Sequence, residues 1–171
     1  MLERFFISIL FLILMPFLII IAIIIFVFMG TPVIFKQKRI GKNQKLFTIF
    51  KFRTMDNEKI TFLGRILRKL GIDELPQLFN IIKGEMSLVG PRPLTEYDIK
   101  RLRWDSNYYK NRWKVKPGIT GMAQLSKICN VKISWFYDKY YVNHRSLCLN
   151  LKILTKSIFI PFLGKKKQTI K

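Results

Sequence analysis

Apolar and polar positions fall into three regimes along the chain. From Phe5 to Met29 the apolar run is unbroken by charge, and Ser8 is its one hydroxyl. As a helix at about 1.5 Å per residue this run reaches about 37 Å, enough to cross a hydrocarbon core of about 30 Å. Pro16 lies near its middle. A proline there removes a backbone donor and crowds the preceding turn, which predicts a kink between two short arms. A mildly bent helix would span the bilayer, whereas a sharply bent one would enter and leave through the same leaflet. The flanking charges do not separate these geometries, because Glu3, Arg4 and the terminal amine precede the run and Lys36, Lys38, Arg39, Lys42 and Lys45 follow it. A signal peptide fits poorly, since the run is long and Phe28 to Pro32 holds no small-x-small cleavage site.

Beyond Met29 the period changes to two. Val33, Phe35 and Gln37 alternate with Ile34, Lys36 and Lys38, a turn follows at Gly41-Lys42-Asn43, and Leu46 to Phe52 reads as the returning strand of a hairpin. Asp56-Asn57-Glu58 reads as a polar loop. Helical spacing begins at Thr61, with Phe62, Leu63, Ile66, Leu67 and Leu70 on one side, Arg65, Arg68 and Lys69 opposite, and Gly71 as the stop. A second helix is predicted from Asp73, carrying Leu75, Leu78, Phe79 and Ile82, with Pro76 in its first turn and Lys83-Gly84 at its end. Gly90-Pro91-Arg92-Pro93 predicts a rigid loop. Tyr97 to Lys116 interleaves Trp104, Tyr108, Tyr109 and Trp113 with seven Lys and Arg, and Trp135 to Phe162 is a second mixed run; both predict amphipathic helices at a membrane surface, against the alternative of aromatics in an ordinary core. The fold class expected is α+β and mainly helical, with a membrane-inserted segment over 1–30 and a cytosolic interfacial domain over 31–171 that ends in a basic tail.

Composition sharpens this picture. The chain has 171 residues, half of them apolar, and a formal net charge of +21. An excess of that size points to an anionic partner: nucleic acid, a phosphorylated substrate or acidic lipid headgroups. Cys129 and Cys148 have neither CxxC nor metal-type spacing and read as reduced thiols. His144 is the one histidine, which disfavours histidine triads and histidine-rich metal sites.

Acidic residues number ten, so the adjacent pair Asp73-Glu74 is conspicuous in a cationic field. Acids in a first turn often only cap a helix. Here Arg68 lies just upstream and Arg92 sits in the proline-bounded loop, and a helix start with convergent arginines is suited to phosphate. A carboxylate in that setting serves as a nucleophile on phosphorus or as a Mg²⁺ ligand.

These residues resemble the signature of the bacterial sugar transferases, the small monotopic phosphoglycosyl transferases. The similarity lies in Asp73 to Asn80 (DELPQLFN) and Lys83 to Pro93 (KGEMSLVGPRP). It extends to Lys51 to Met55 (KFRTM), Lys116 to Gln124 (KPGITGMAQ), Tyr140 to Val142 and Asn150 to Leu154. Together the blocks cover most of the chain from Val33 to Leu154. The resemblance implies a nucleotide-diphosphate sugar as donor, usually the UDP form, and polyprenyl phosphate as acceptor. It implies that Asp73 is the nucleophile and a Mg²⁺ ligand, that Glu74 assists metal binding or deprotonation, and that Arg68 and Arg92 clamp phosphate. Arg53, Thr54 and Gln124 follow as further substrate-binding candidates. Location at the cytoplasmic face of the bacterial inner membrane, against anionic lipids and without nucleic acid, is implied as well. The chain departs from the family pattern at Met15, Glu85, Met122 and Asn150. The membrane-bound catalytic reading favours the re-entrant form of the first helix, bent at Pro16.

Two rivals follow from the charge and its interleaved aromatics. A membrane-tethered nucleic-acid binder would show salt-dependent binding to single-stranded RNA, and an acidic-lipid scaffold would be indifferent to Asp73→Asn.

Overall fold

A computed structural model describes residues 2–126 and 130–163, with side chains as far as Ser157. Cys129 and the basic tail at Lys165 to Lys167 lie outside the described residues. The described residues are mainly helical, with three small two-stranded sheets among them. It divides into two compact units: one takes residues up to Gln37 and from Thr48 to Gly84, the other Lys38 to Phe47 and the chain from Glu85 onward.

In the first unit, α1 (Leu2–Met29) is one continuous helix, and Pro16 does not divide it into two elements. It is long and apolar enough to cross a membrane. The strands β1 (Ile34–Ile40) and β2 (Leu46–Phe52) form the expected hairpin, whose base belongs to this unit and whose tip belongs to the second. The predicted loop at 56–58 is a second, minute hairpin, β3 (Met55–Asp56) with β4 (Lys59–Ile60), turned by Asn57 and Glu58 at φ 44° and 64°. Positive φ at both turn residues is the mirror-image turn that matches strand twist.

Thr61 caps α2 (Phe62–Leu70) by accepting from the Gly64 N–H, and Gly71 closes it in the left-handed region. Both ends follow the sequence reading. The next segment does not. Ile72–Gln77 is a 3₁₀ turn, and the α-helix α3 begins only at Leu78, running to Lys83. Asp73 therefore sits in a tight turn between two helices rather than in the first turn of a longer one.

Leu18, Ile25, Phe52 and Leu67 form the core of this unit, with Phe11, Leu14, Ile21, Leu63 and Leu75 packed around them. Arg4 donates from Nε to the Ile82 carbonyl at 2.8 Å, tying the start of α1 to the end of α3. Leu12, Ile13, Val27 and Phe28 remain exposed, an apolar surface that a water-soluble domain does not tolerate. A Cβ on Gly64 would stand 2.0 Å from the Thr54 carbonyl oxygen, so α2 lies against bare backbone there. Gly64→Ala is expected to destabilise the protein by about 1–3 kcal/mol, read as a lower denaturant midpoint.

The second unit begins with β5 (Ser87–Val89), followed by α4 (Glu96–Leu102). β6 (Gly118–Thr120) pairs with β5 in parallel, Ser87 opposite Gly118 and Val89 opposite Thr120. Then come α5 (Met122–Leu125), α6 (Val131–His144) and α7 (Leu147–Leu163). The run from Tyr97 to Lys116 is not one interfacial helix. α4 stops at Leu102, Arg103 turns the chain at φ 56°, and Asn107–Lys114 continues as 3₁₀. That turn carries Trp104 and Trp113 inward, where they bury with Trp135, Ile40 and Leu94. Tyr97 and Tyr108 are left exposed. These aromatics build a core because ring-on-ring packing removes more apolar surface from water than a headgroup layer would. The second mixed run also breaks, between α6 and α7. Tyr141 of α6 donates to the Val89 carbonyl and lies 3.0 Å from Asn150 Oδ1, which gives the departure at Asn150 a partner. Met122 packs on the cluster of Val89, Tyr141 and Ile153.

A capping box starts α4: the Thr95 hydroxyl accepts from the Asp98 N–H while the Asp98 carboxylate accepts from the Thr95 N–H. Burial raises the Asp98 carboxyl, but Thr95, Arg39 and Arg101 together outweigh it and hold it below the usual range. The folded state thus binds this proton less tightly than the unfolded chain. The stabilisation is present above the unfolded pKa near 3.9 and is lost as pH falls through the folded value. Asp98→Asn is expected to cost about 1 kcal/mol at pH 7 and progressively less in acid, measured by denaturant titration across pH.

Candidate active site

Asp73, Glu74, Arg68, Thr54, Arg53 and Pro16 all belong to the first unit; Arg92 and Gln124 belong to the second. Within the first unit a short stretch of chain links Arg68 to the acidic pair. Gly71 bends left-handed and donates to the carbonyls of Arg68 and Leu67. The Glu74 N–H then bonds the Gly71 carbonyl at 3.2 Å. The two acids thus ride on a turn that packs back on α2. Asp73 is 8% exposed, buried for a carboxylate. Its neighbour Glu74 is half-buried and accepts from Lys51 Nζ at 2.8 Å. Arg68 donates from Nε to the Thr54 hydroxyl at 2.8 Å, and Thr54 is itself buried. That bond fixes the guanidinium of Arg68 by one edge.

Arg53 is engaged otherwise. Its Nη1 donates to the carbonyls of Met29 and Thr31 at 3.0 and 2.9 Å, its Nε to the Met55 carbonyl at 3.0 Å, and its Nη2 to the Asp56 carboxylate.

Two residues that sequence reasoning passed over support this arrangement. Lys51 lies in the KFRTM block and balances Glu74. Asn80 is fully buried, donating to the Thr48 carbonyl at 2.7 Å and accepting from the Phe50 N–H at 3.3 Å, so α3 is stitched to β2. Asn80 closes the DELPQLFN block, and a buried amide at the end of such a block is the signal that marks it.

In the second unit the Gly90 to Pro93 loop is held along its whole backbone. The Pro91 carbonyl accepts from the Gly118 N–H at 3.0 Å, that of Arg92 from Arg112 Nη2, that of Pro93 from Arg39 Nη1 at 3.1 Å, and that of Leu94 from the Ile40 N–H at 2.8 Å. The side chain of Arg92 is exposed. Arg112, itself buried, donates from Nε to Asp138 at 2.8 Å and lies over the rings of Trp104 and Trp113 at 5.3 and 5.0 Å. Burial pushes the Asp138 carboxyl up, and Arg112 opposes that through its charge and hydrogen bond. Gln124 donates to the Ile119 carbonyl at 3.2 Å, inside its own turn. A Cβ on Gly118 would stand 2.1 Å from the Gly90 N, so β6 meets the loop backbone to backbone.

A sequence profile of the bacterial sugar transferases matches residues 1–164. The chain belongs to that family. This sugar transferase is 44% identical over 145 residues to "Uncharacterized sugar transferase EpsL" of Bacillus subtilis, covering 75% of this chain and 69% of that protein. It is 37% identical over 146 residues to an Aeromonas hydrophila protein named UDP-N-acetylgalactosamine-undecaprenyl-phosphate N-acetylgalactosaminephosphotransferase. It is 35% identical over 159 residues to the undecaprenyl-phosphate galactose phosphotransferase of Salmonella typhimurium. These matches take 74% and 75% of this chain but 34% and 33% of those two proteins, so the transferase spans about a third of their length.

Proposed function

We propose that this sugar transferase moves a sugar-1-phosphate from a nucleotide-diphosphate sugar of the UDP class onto polyprenyl phosphate, through a covalent ester on Asp73. The observation that carries this reading is the placement of Asp73 and Glu74, two of ten acids in a chain of net charge +21, on one tight turn directly behind Arg68. A buried carboxylate five residues after a guanidinium anchored on Thr54 suits attack on phosphorus, where positioning and charge neutralisation supply most of the catalysis. In the first step a carboxylate oxygen of Asp73 bonds to the β-phosphorus of the donor. The bond from that phosphorus to the bridging oxygen breaks, and the nucleoside monophosphate leaves with the electron pair. In the second step an oxygen of polyprenyl phosphate attacks the same phosphorus, and the Asp73 carboxylate leaves. Arg68 holds phosphate oxygens. Glu74, paired with Lys51, takes a proton or aids a metal. The names of the Aeromonas and Salmonella relatives support the acceptor class, and that of the Aeromonas relative supports the donor class.

Mg²⁺ fits this donor set. No cluster of three or more His, Cys, Asp or Glu stands among the described residues. The hard carboxylate oxygens of Asp73, with Glu74 adjacent, suit an ion whose remaining ligands are phosphate oxygens and water. Such an ion would offset the negative charge of the two phosphorylated substrates.

The membrane placement rests on two apolar surfaces of the first unit. One is the exposed flank of α1. The other is the face of α2 on which Phe62, Ile66 and Leu70 are exposed, four residues apart, with exposed Arg65 and Lys69 beside them. An apolar stripe edged by cations suits the headgroup layer. In this reading α1 inserts from the cytoplasmic face of the inner membrane and returns to it, with Pro16 at the bend. Leu2→Cys, with Cys129 and Cys148 replaced, is expected to label from the cytoplasmic side; labelling from the outer side alone would leave a simple span. The activity itself is tested by a panel of UDP-sugars with Mg²⁺ and polyprenyl phosphate, reading UMP release. Absence of release with every donor would overturn the reading.

A further inference from the structure

We infer that Arg53 is a positioning residue that ties the end of the membrane helix to the strand end that sets Arg68, and that it does not hold substrate. The inference rests on the reading of Asp73 as the covalent centre and adds to it the way in which that centre is fixed relative to α1.

The argument starts at Met29, where α1 ends. The last turn of a helix leaves carbonyls without intrahelical donors and carries partial negative charge. The last turn of α1 contains no basic residue of its own. Arg53 supplies what is missing: Nη1 donates to both Met29 and Thr31 carbonyls, so one guanidinium nitrogen brackets the helix end. The remaining edge of the fork faces the other way, with Nε on the Met55 carbonyl and Nη2 on the Asp56 carboxylate. A guanidinium has five N–H donors, and four are directed into these protein bonds. The Arg53 N–H also bonds the Val33 carbonyl at 2.8 Å, so main chain and side chain both fasten this residue to the segment that follows α1.

Thr54, the next residue, holds the site. Its hydroxyl accepts from Arg68 Nε, and its carbonyl accepts from the Thr61 N–H at 3.2 Å, immediately before α2. Two adjacent residues thus grip two different things, Arg53 the end of α1 and Thr54 the guanidinium five residues before Asp73. A shift of the end of α1 is passed across one peptide unit to Arg68 and the acidic turn.

This connection has different weight for the two substrates. The nucleotide sugar arrives from water and meets Asp73 at any depth. The polyprenyl phosphate cannot leave the bilayer, so its phosphate meets Asp73 only when the turn stands at the right height above α1. Loosening the tie therefore impairs the second half-reaction and spares the first. A phosphate clamp would do the opposite, weakening donor binding.

The experiment uses the full chain in lipid nanodiscs, as wild type, Arg53→Met and Arg53→Lys. Release of nucleoside monophosphate without acceptor reports the first half-reaction, and transfer of radiolabelled sugar phosphate to polyprenyl phosphate reports the whole. For Arg53→Met the expected result is a burst within about threefold of wild type, an unchanged kcat/KM for the nucleotide sugar, and a kcat for transfer lowered about tenfold to a hundredfold, the scale of a small misplacement. Arg53→Lys is expected to behave like Arg53→Met, because one ammonium cannot bracket two carbonyls and reach Asp56 as a planar fork does. A raised donor KM with a lost burst, or restoration by lysine, would overturn the inference and make Arg53 a phosphate ligand. A wild type without a burst would overturn the Asp73 ester instead, and the split between KM and kcat in full turnover would still decide Arg53. Should Arg53→Met not fold, Arg53→Gln decides in the same way: lower kcat at unchanged kcat/KM for the nucleotide sugar supports the tie, and a lowered kcat/KM refutes it.

Discussion

Asp73→Asn is expected to lower sugar-phosphate transfer by about a thousandfold or more while leaving the unfolding temperature within a degree or two of wild type. The substitution keeps the shape of the side chain and exchanges one oxygen for an amide nitrogen, so a buried position with room for a carboxylate still accommodates it. What disappears is the nucleophile. An amide oxygen does not form a stable ester with phosphorus, and loss of a covalent nucleophile removes an entire route rather than a fraction of its stabilisation. The check is transfer of radiolabelled sugar phosphate to polyprenyl phosphate, with UMP release in the absence of acceptor as a second readout. Activity near the wild-type level would refute the covalent mechanism. Asp73→Glu sharpens the point, because it retains the carboxylate and moves it by one methylene. A loss of about a hundredfold is expected from displacement alone.

Arg112→Met is expected to cost about 3–5 kcal/mol of folding stability at neutral pH, the largest thermodynamic effect of any single substitution considered for this protein. The side chains of Arg112 and Asp138 are only 2% and 5% exposed. Removing one partner leaves the other charge buried without compensation. Burial already pushes the Asp138 carboxyl up, and Arg112 is what opposes it; without Arg112 the carboxyl rises further. A raised folded pKa means that the folded state holds the proton more tightly than the unfolded chain. The deficit is therefore small below the unfolded value near 3.9 and grows as pH rises through the folded one. Denaturant titrations from acid to neutral pH should show that trend, and a deficit independent of pH would refute this account. Pairing the change with Asp138→Leu should recover most of the lost stability, since an apolar pair fills the same volume without desolvated charge. Activity should not return with it, because the bond from Arg112 to the Arg92 carbonyl is still missing.

Where the chain's chemistry is local, its sequence is informative. Thr61 and Gly71 bracket α2 because a hydroxyl that accepts from the third residue on, and a residue free to turn left-handed, are requirements of the helix ends themselves. The hairpin between Ile34 and Phe52 is legible for the same reason. The acidic pair stands out because acids are rare in this chain. The misread elements depend on partners distant in sequence. Three-residue strands at Ser87 and Gly118 carry no periodicity, and their pairing exists only because two backbones approach at Gly90 and Gly118. The run from Tyr97 to Lys116 alternates cations with aromatics, a pattern that suits a membrane surface as well as a core. The left-handed turn at Arg103 decides between them, and nothing in the local sequence marks Arg103 among its basic neighbours. Arg112 was one of many cations until Asp138, 26 residues away, gave it a buried partner. Arg53 illustrates a third case: the block that contains it is recognisable, yet the block does not reveal that its side chain turns toward Met29.

The pinned backbone from Pro91 to Leu94 bears on how this protein can be engineered. Its four carbonyls are matched to donors on three other stretches of chain, so one added residue would put every later carbonyl out of step. Pro91 and Pro93 have no N–H with which to improvise a new ladder. The tip of the hairpin is the contrast: Lys42 to Gln44 are exposed, and the turn is closed by short-range bonds from the Gly41 N–H to the Lys45 carbonyl and from the Lys45 N–H to the Lys42 carbonyl. An epitope or a fluorescent label belongs there, where lengthening the loop by a few residues costs little chain entropy.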